Sequence, residues 1–251
     1  MGVHFDPLEN WNLPHFGLFW SRINHEYPVA EVHPLIASEG EVQEFEFGVG
    51  ALQKQLKIPV RCWFINEDKT RLIQVQNNRF IHNWRRIRGS GGPYSHYDDL
   101  RPIFEAEWNR FSAFLEKEGI VKPNVVRCEV SYINHLDRGR GWQSFADLPD
   151  VFPSWSGRTS GGFLPPPQAA AIRTFYPIQR PEGRLEISAQ PAVRQSDGKD
   201  IIQLSVTGLC KPTSSEGGQI FSALDAAHEW VVRGFTDFTS AKMHEIWRRK
   251  I

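Results

Sequence analysis

The chain has 251 residues, and its 29 Lys plus Arg balance 29 Asp plus Glu, so the formal net charge is zero. That balance gives no overall attraction to nucleic acid or to an anionic membrane, although a local basic face can hide inside it. No apolar run approaches the ~20 residues of a membrane-spanning helix, and the length suits one large domain or two small packed halves.

Residues 1–28 mix Pro, Asn, His and aromatics without a sustained period. They read as an irregular arm that packs through Trp11, Phe16, Phe19 and Trp20. Met1 to Leu18 has no basic-then-apolar leader pattern, so a cytoplasmic location is expected. Short strands are expected at Val29–Ile36 and Val42–Phe47. Val60–Ile65 is apolar on both faces, the pattern of a strand buried on both sides. A turn at Asn66–Lys69 leads to a strand at Arg71–Gln76. Asn77-Asn78 is expected to make a two-residue hairpin turn, because Asn tolerates positive φ. The next strand, Arg79–Arg85, points Phe80, His82 and Trp84 one way and Ile81 and Asn83 the other, and Gly89 to Pro93 breaks the pattern.

From Asp98 to Glu118 the period becomes helical, with Leu100, Phe104, Trp108, Phe111 and Leu115 on one stripe. Asp98 is the candidate cap, Pro102 fits only near the first turn, and Gly119 ends the helix. Val125–Ile133 reads as a strand. Asp137–Gln168, rich in Gly and Pro, reads as a long irregular crossover, of the kind that is often functional or mobile when it is not a plain connection. Strands then follow at Ile172–Ile178, Arg184–Ala189 and Ile201–Gly208, with Asp197-Gly198 as the hairpin signal. Ile220, Leu224, Ala227, Val231 and Phe235 form a second helical stripe. Thr239 is expected to cap a final short helix that ends in Arg248-Arg249-Lys250, cations suited to a helix C-terminus.

The expected fold is therefore α+β: two antiparallel sheet-plus-helix units with a pseudo-twofold repeat, joined by the Pro/Gly-rich crossover. The divisions are 1–136 for the arm and first unit, 137–171 for the crossover and 172–251 for the second unit. Nine Trp, 17 Phe and 5 Tyr are enough to fill the core and still line a surface for a ligand. Cys62, Cys128 and Cys210 are far apart, odd in number and inside strand-like runs. They read as buried free thiols rather than a disulfide framework or zinc site.

Three groups of residues could carry chemistry. Arg79, His82, Trp84, Arg85, Arg86 and Arg88 interleave cations with aromatics, a pattern that can hold phosphates and stack bases. The plain alternative is a basic strand with a core Trp. Glu129 lies with Tyr132, Asn134 and His135 on one strand, and its carboxyl needs a partner, for which Arg79 or Arg85 would serve. The scattered histidines, His25, His33, His82, His96, His135, His228 and His244, show no metal-ligand spacing. GxSxG, the phosphate loop and GxGxxG are all missing, so no metal, cofactor or catalytic residue is assigned.

Several segments together resemble a sporadically distributed, uncharacterised family of bacterial proteins of about this length. They are Tyr27-Pro28-Val29-Ala30-Glu31-Val32, Gln74-Val75-Gln76 leading to Asn83-Trp84-Arg85, Cys128-Glu129-Val130-Ser131-Tyr132-Ile133-Asn134, and the ending from Ala227-His228-Glu229 through Phe235, Thr239, His244 and Trp247. The resemblance implies a bacterial setting and a link to mobile or defence genes, and brings no catalytic residues. The leading expectation is a non-enzymatic binding or accessory protein that meets a protein partner, a ligand or a second copy through an aromatic and arginine-rich surface. The competing class is an RNA binder or metal-independent ribonuclease using Arg79–Arg88, with His82 or His135 as acid or base. A small-molecule pocket between a sheet and a long helix is a third.

Overall fold

The computed structural model describes residues 1–36, 60–87, 94–156 and 161–248. Helices and antiparallel strands give an α+β fold, and the chain divides into two compact units, Met1–Val126 and Arg127–Ile251. The expected strand at Val42–Phe47, the break at Gly89–Pro93, and Arg88, Arg249 and Lys250 lie outside the described residues.

The first unit holds β1 (Gly2–Phe5), α1 (Leu13–Ile23), β2 (Val29–Pro34), β3 (Val60–Ile65), β4 (Arg71–Gln76), β5 (Arg79–Trp84) and α2 (Tyr97–Lys117). Its strands are antiparallel in the order β2-β3-β4-β5-β1. Because side chains alternate along a strand, one face carries the row Cys62, Val75, Phe80, Val3 and the row Phe64, Ile73, His82. Both helices pack on that face. Phe19 of α1 meets Phe64 and Phe80, and Phe104, Trp108 and Phe111 of α2 surround Phe80 at 4.9–6.1 Å between ring centroids.

The irregular arm expected at residues 1–28 is instead a strand and a helix. β1 is too short for alternation to register in the sequence and forms by pairing with β5. In α1 the buried Phe16, Phe19 and Ile23 are spaced i, i+3, i+7, a stripe masked by Pro14 and Gly17. Asp98 does not cap α2. The helix begins one residue earlier at the buried Tyr97, and the His96 amide donates to the Asp99 carboxylate at 3.0 Å. Pro102 therefore lies in the second turn, and Gly119, at φ +69°, ends the helix. Asn77-Asn78 does join β4 to β5, but neither residue is left-handed; Lys69 and Arg248 are the described non-glycine residues with positive φ. That turn is fastened from outside, since the carbonyls of Asn77 and Asn78 accept the amides of Leu8 and Phe5.

The second unit holds β6 (Val125–Asp137) from Arg127 onward, α3 (Leu148–Val151), β7 (Ile172–Ile178), β8 (Gly183–Arg194), β9 (Lys199–Cys210), α4 (Gly217–Phe238) and α5 (Ala241–Ile246). Its strands are antiparallel in the order β6-β9-β8-β7. The β8–β9 hairpin turns through Asp197-Gly198, with Gly198 at φ +67°. Arg194 forks onto both Asp197 oxygens at 2.8 Å and reaches Asp137 at 2.6 Å. Helix α4 buries Ile220, Leu224, Ala227 and Val231 and packs on β9. Gly208 of β9 permits the approach, since a Cβ there would stand 2.6 Å from the Ala227 carbonyl oxygen.

The crossover is more ordered than its composition suggests. Its first part buries Trp142, Phe145, Leu148, Val151 and Phe152 through a 3-10 turn at Phe145–Asp147 and α3. Those five apolar residues outweigh the two positive-φ glycines, Gly139 and Gly141, that turn the chain. Thr239 does not cap α5. Its hydroxyl donates back to the Phe235 carbonyl at 2.6 Å and closes α4, while the Ser240 side chain accepts from Met243 at the start of α5.

Candidate functional site

Strand alternation divides the arginine block. Arg79 is 8% exposed on the face opposite the helices, while Phe80 and His82 enter the core. Trp84 is half-buried and stands edge-on to Tyr94 at 5.0 Å. The Arg85 Nε donates to the Lys69 carbonyl at 2.7 Å, and Arg86 is exposed. Among the described residues these side chains make no continuous basic strip.

His82 is the centre of a buried network instead. Its Nδ1 lies 2.5 Å from Glu107 Oε2, and the Tyr27 hydroxyl donates to Glu107 Oε1. All three residues are almost wholly buried, and His82 Nε2 has no partner. The backbone of His82 is clamped as well: its amide donates to the Met1 carbonyl at 2.8 Å, and the Met1 ammonium donates to the His82 carbonyl at 2.9 Å. Burial first, then the Glu107 charge and hydrogen bond, hold the Tyr27 phenol far above its ordinary value. With Tyr27, His82 and Glu107 all buried, the network reads as a polar fastener inside an aromatic core.

On β6 the other candidates separate. Glu129 and His135 share a face, with Glu129 accepting from Ser131 at 2.8 Å. Six residues of strand put roughly 20 Å between them, so they cannot work as a pair. Tyr132 and Asn134 alternate to the face beneath α4, where the Tyr132 ring lies 5.9 Å from His228. Cys62, Cys128 and Cys210 are all buried and free, and burial raises each thiol, Cys62 and Cys210 to about 11. Among the described residues no three His, Cys, Asp or Glu groups gather as a metal site, and no helix is long and apolar enough to cross a membrane.

A second group of residues, missed by sequence reasoning, lines a cleft of about 430 Å³ in the second unit. Its floor is Leu185 and Ile187 of β8 with Phe238 of α4. Tyr176 of β7, 40% exposed, and Trp230 of α4, 37% exposed, form its aromatic walls. Glu229, Arg233 and Asp237 line the helix side one turn apart, with Arg233 Nη1 donating to Glu229 at 2.7 Å. Gly234 keeps the helix close to the floor, as a Cβ there would stand 2.3 Å from Leu185 Cδ2. The signal in the sequence was faint: Trp230 and Asp237 flank the apolar stripe of α4, and Tyr176 sits in a strand whose partner was unknown. Desolvated apolar floors with a few directed polar groups are the usual form of a binding site.

No family model, curated protein or solved structure matches the chain.

Proposed function

We propose that the protein is a binding or accessory protein, and that it seats a segment of a protein partner in the cleft between α4 and the β7–β8 pair. The observation that carries this reading is the half-exposed pair Trp230 and Tyr176 over the apolar floor of Leu185, Ile187 and Phe238. Large aromatics of this kind anchor protein interfaces. The flanking strand β7 is the outermost of its unit, an arrangement suited to an extended segment that lays alternate side chains into a groove.

The rim sets the chemistry of that segment. Glu229 is paired with Arg233, whereas the Asp237 carboxylate adds a further negative charge on the same helix face. An occupant with an apolar anchor and a neighbouring Lys or Arg complements both. The RNA-directed alternative draws no comparable support, since Arg79 and His82 are buried. The two successions of three strands and a long helix, β3–β4–β5–α2 and β7–β8–β9–α4, are read as one motif used twice, with the cleft elaborated on the second.

Selection of short random peptides displayed on phage against the whole protein tests the proposal. Enriched peptides should combine an apolar residue with a basic one. Trp230→Ala should weaken their binding by roughly 2 kcal/mol or more, the scale of an aromatic hot spot, and Asp237→Asn should weaken it less. Failure to enrich any peptide, or binding untouched by Trp230→Ala, would overturn it.

A further inference from the structure

We propose that the first unit carries a separate oxyanion-binding site on the face of β3 at Arg61 and Trp63, independent of the cleft in the second unit. These side chains are two residues apart on one strand and therefore share a face. Arg61 stands over the Trp63 ring, 5.3 Å from guanidinium carbon to ring centroid. Across the sheet Trp63 pairs with Gln74, and on the other side Arg61 pairs with His33 of β2.

The hydrogen-bond inventory of this platform has donors to spare. Arg61 Nη1 donates to Gln74 Oε1 at 2.9 Å, and Gln74 Nε2 donates on to Asn83 Oδ1 at 2.5 Å, which fixes the direction of both amides. The His33 ring stacks on Trp63 at 3.8 Å and uses its Nε2 on Glu31 at 2.9 Å, so that carboxylate is already engaged. Two buried donors have no acceptor: Arg61 Nε and Trp63 Nε1. Buried polar atoms are nearly always satisfied, and two orphaned donors side by side on one strand face point to a shared partner. Guanidinium and indole N–H groups only donate, so that partner must be an acceptor.

Charge points the same way. Arg61 contacts an amide and an aromatic ring, and burial first, then the nearby charge of Arg79, pull it below its ordinary value. An acceptor that also carries negative charge would meet both needs. The ligand class is therefore an oxyanion, a carboxylate or a phosphate, held by charge-assisted hydrogen bonds.

The test is an NMR titration of the ¹⁵N-labelled full chain with sodium phosphate and, separately, sodium acetate, at ionic strength held constant with sodium chloride. The Trp63 indole resonance, identified by its loss in Trp63→Phe, and the Arg61 Nε resonance should shift together and saturate. Tighter saturation with phosphate would assign a phosphoryl ligand, and tighter saturation with acetate a carboxylate. Arg61→Gln should weaken binding at least roughly tenfold, as loss of a charge-assisted bond does. Should that variant fail to fold, Arg61→Lys keeps the cation, removes the Nε donor and should still weaken binding several-fold. Shifts that grow linearly with either salt, or affinity unchanged in the folded variant, would overturn the site.

Discussion

Glu107 lies on the apolar stripe of α2, between Phe104, Trp108 and Phe111, at a position where a carboxyl group must find partners or stay out of the core. It finds two: Tyr27 on one oxygen and His82 on the other. Strand alternation made His82 legible as a polar residue on the Phe80 face, whereas Glu107 was not singled out in the helical pattern. Their meeting was not legible, because the partners are 25 and 80 positions apart in the chain and only the folded sheet brings them together. Glu107→Ala strands the Tyr27 hydroxyl and the His82 ring in the core, and is expected to lower unfolding free energy by about 3–5 kcal/mol, as breaking a buried pair does. Glu107→Gln keeps the volume and one acceptor, and should cost only about 1–2 kcal/mol. Urea unfolding of the two variants distinguishes a directed network from mere space-filling, and equal losses would remove the network from the account.

Elements with a strong period were read correctly and those made by their neighbours were not. β3, β4, β5, β7 and the two long helices announce themselves through alternation or a 3.6-residue stripe. β1 exists because β5 offers it an edge, and the order within the crossover comes from Trp142 and Phe152 finding apolar surroundings, with Phe152 5.2 Å from Phe238. A pocket between a sheet and a long helix was among the expectations, but the residues of the cleft were not legible, because it belongs to no element but to the seat of α4 on the strands. Two glycines set that seat in different ways. At Gly208 a new methyl would meet helix backbone, the Ala227 carbonyl, so Gly208→Ala must move α4 and is expected to cost about 1–3 kcal/mol. At Gly234 it would meet the tip of Leu185, which can rotate, and replacing a mid-helix Gly returns up to about 1 kcal/mol. Gly234→Ala should therefore leave the unfolding midpoint nearly unchanged while narrowing the cleft. A larger loss at position 234 than at 208 would show that the helix is seated differently.

Among the described residues, four buried groups stay neutral as the pH rises into alkali. Cys62 and Tyr27 do so in the first unit, Cys128 and Cys210 in the second. Burial is the leading cause of each upward shift, with Cys62 and Cys210 moved from 9.0 to about 11. The sign of the linkage follows directly. Above the ordinary thiol value the unfolded chain has released protons that the folded chain still holds, so raising the pH favours unfolding. The contribution is fully present below pH 9.0 and is lost as pH rises toward about 11. Asp68 and Asp147, held low by hydrogen bonds, act at the acid end and leave this window alone. Denaturant midpoints measured through the window should fall steadily, and Cys62→Ala should make the fall shallower even where its starting stability is lower. A midpoint that stays flat or rises would mean that the thiols reach solvent in the native state, against the burial seen at all three.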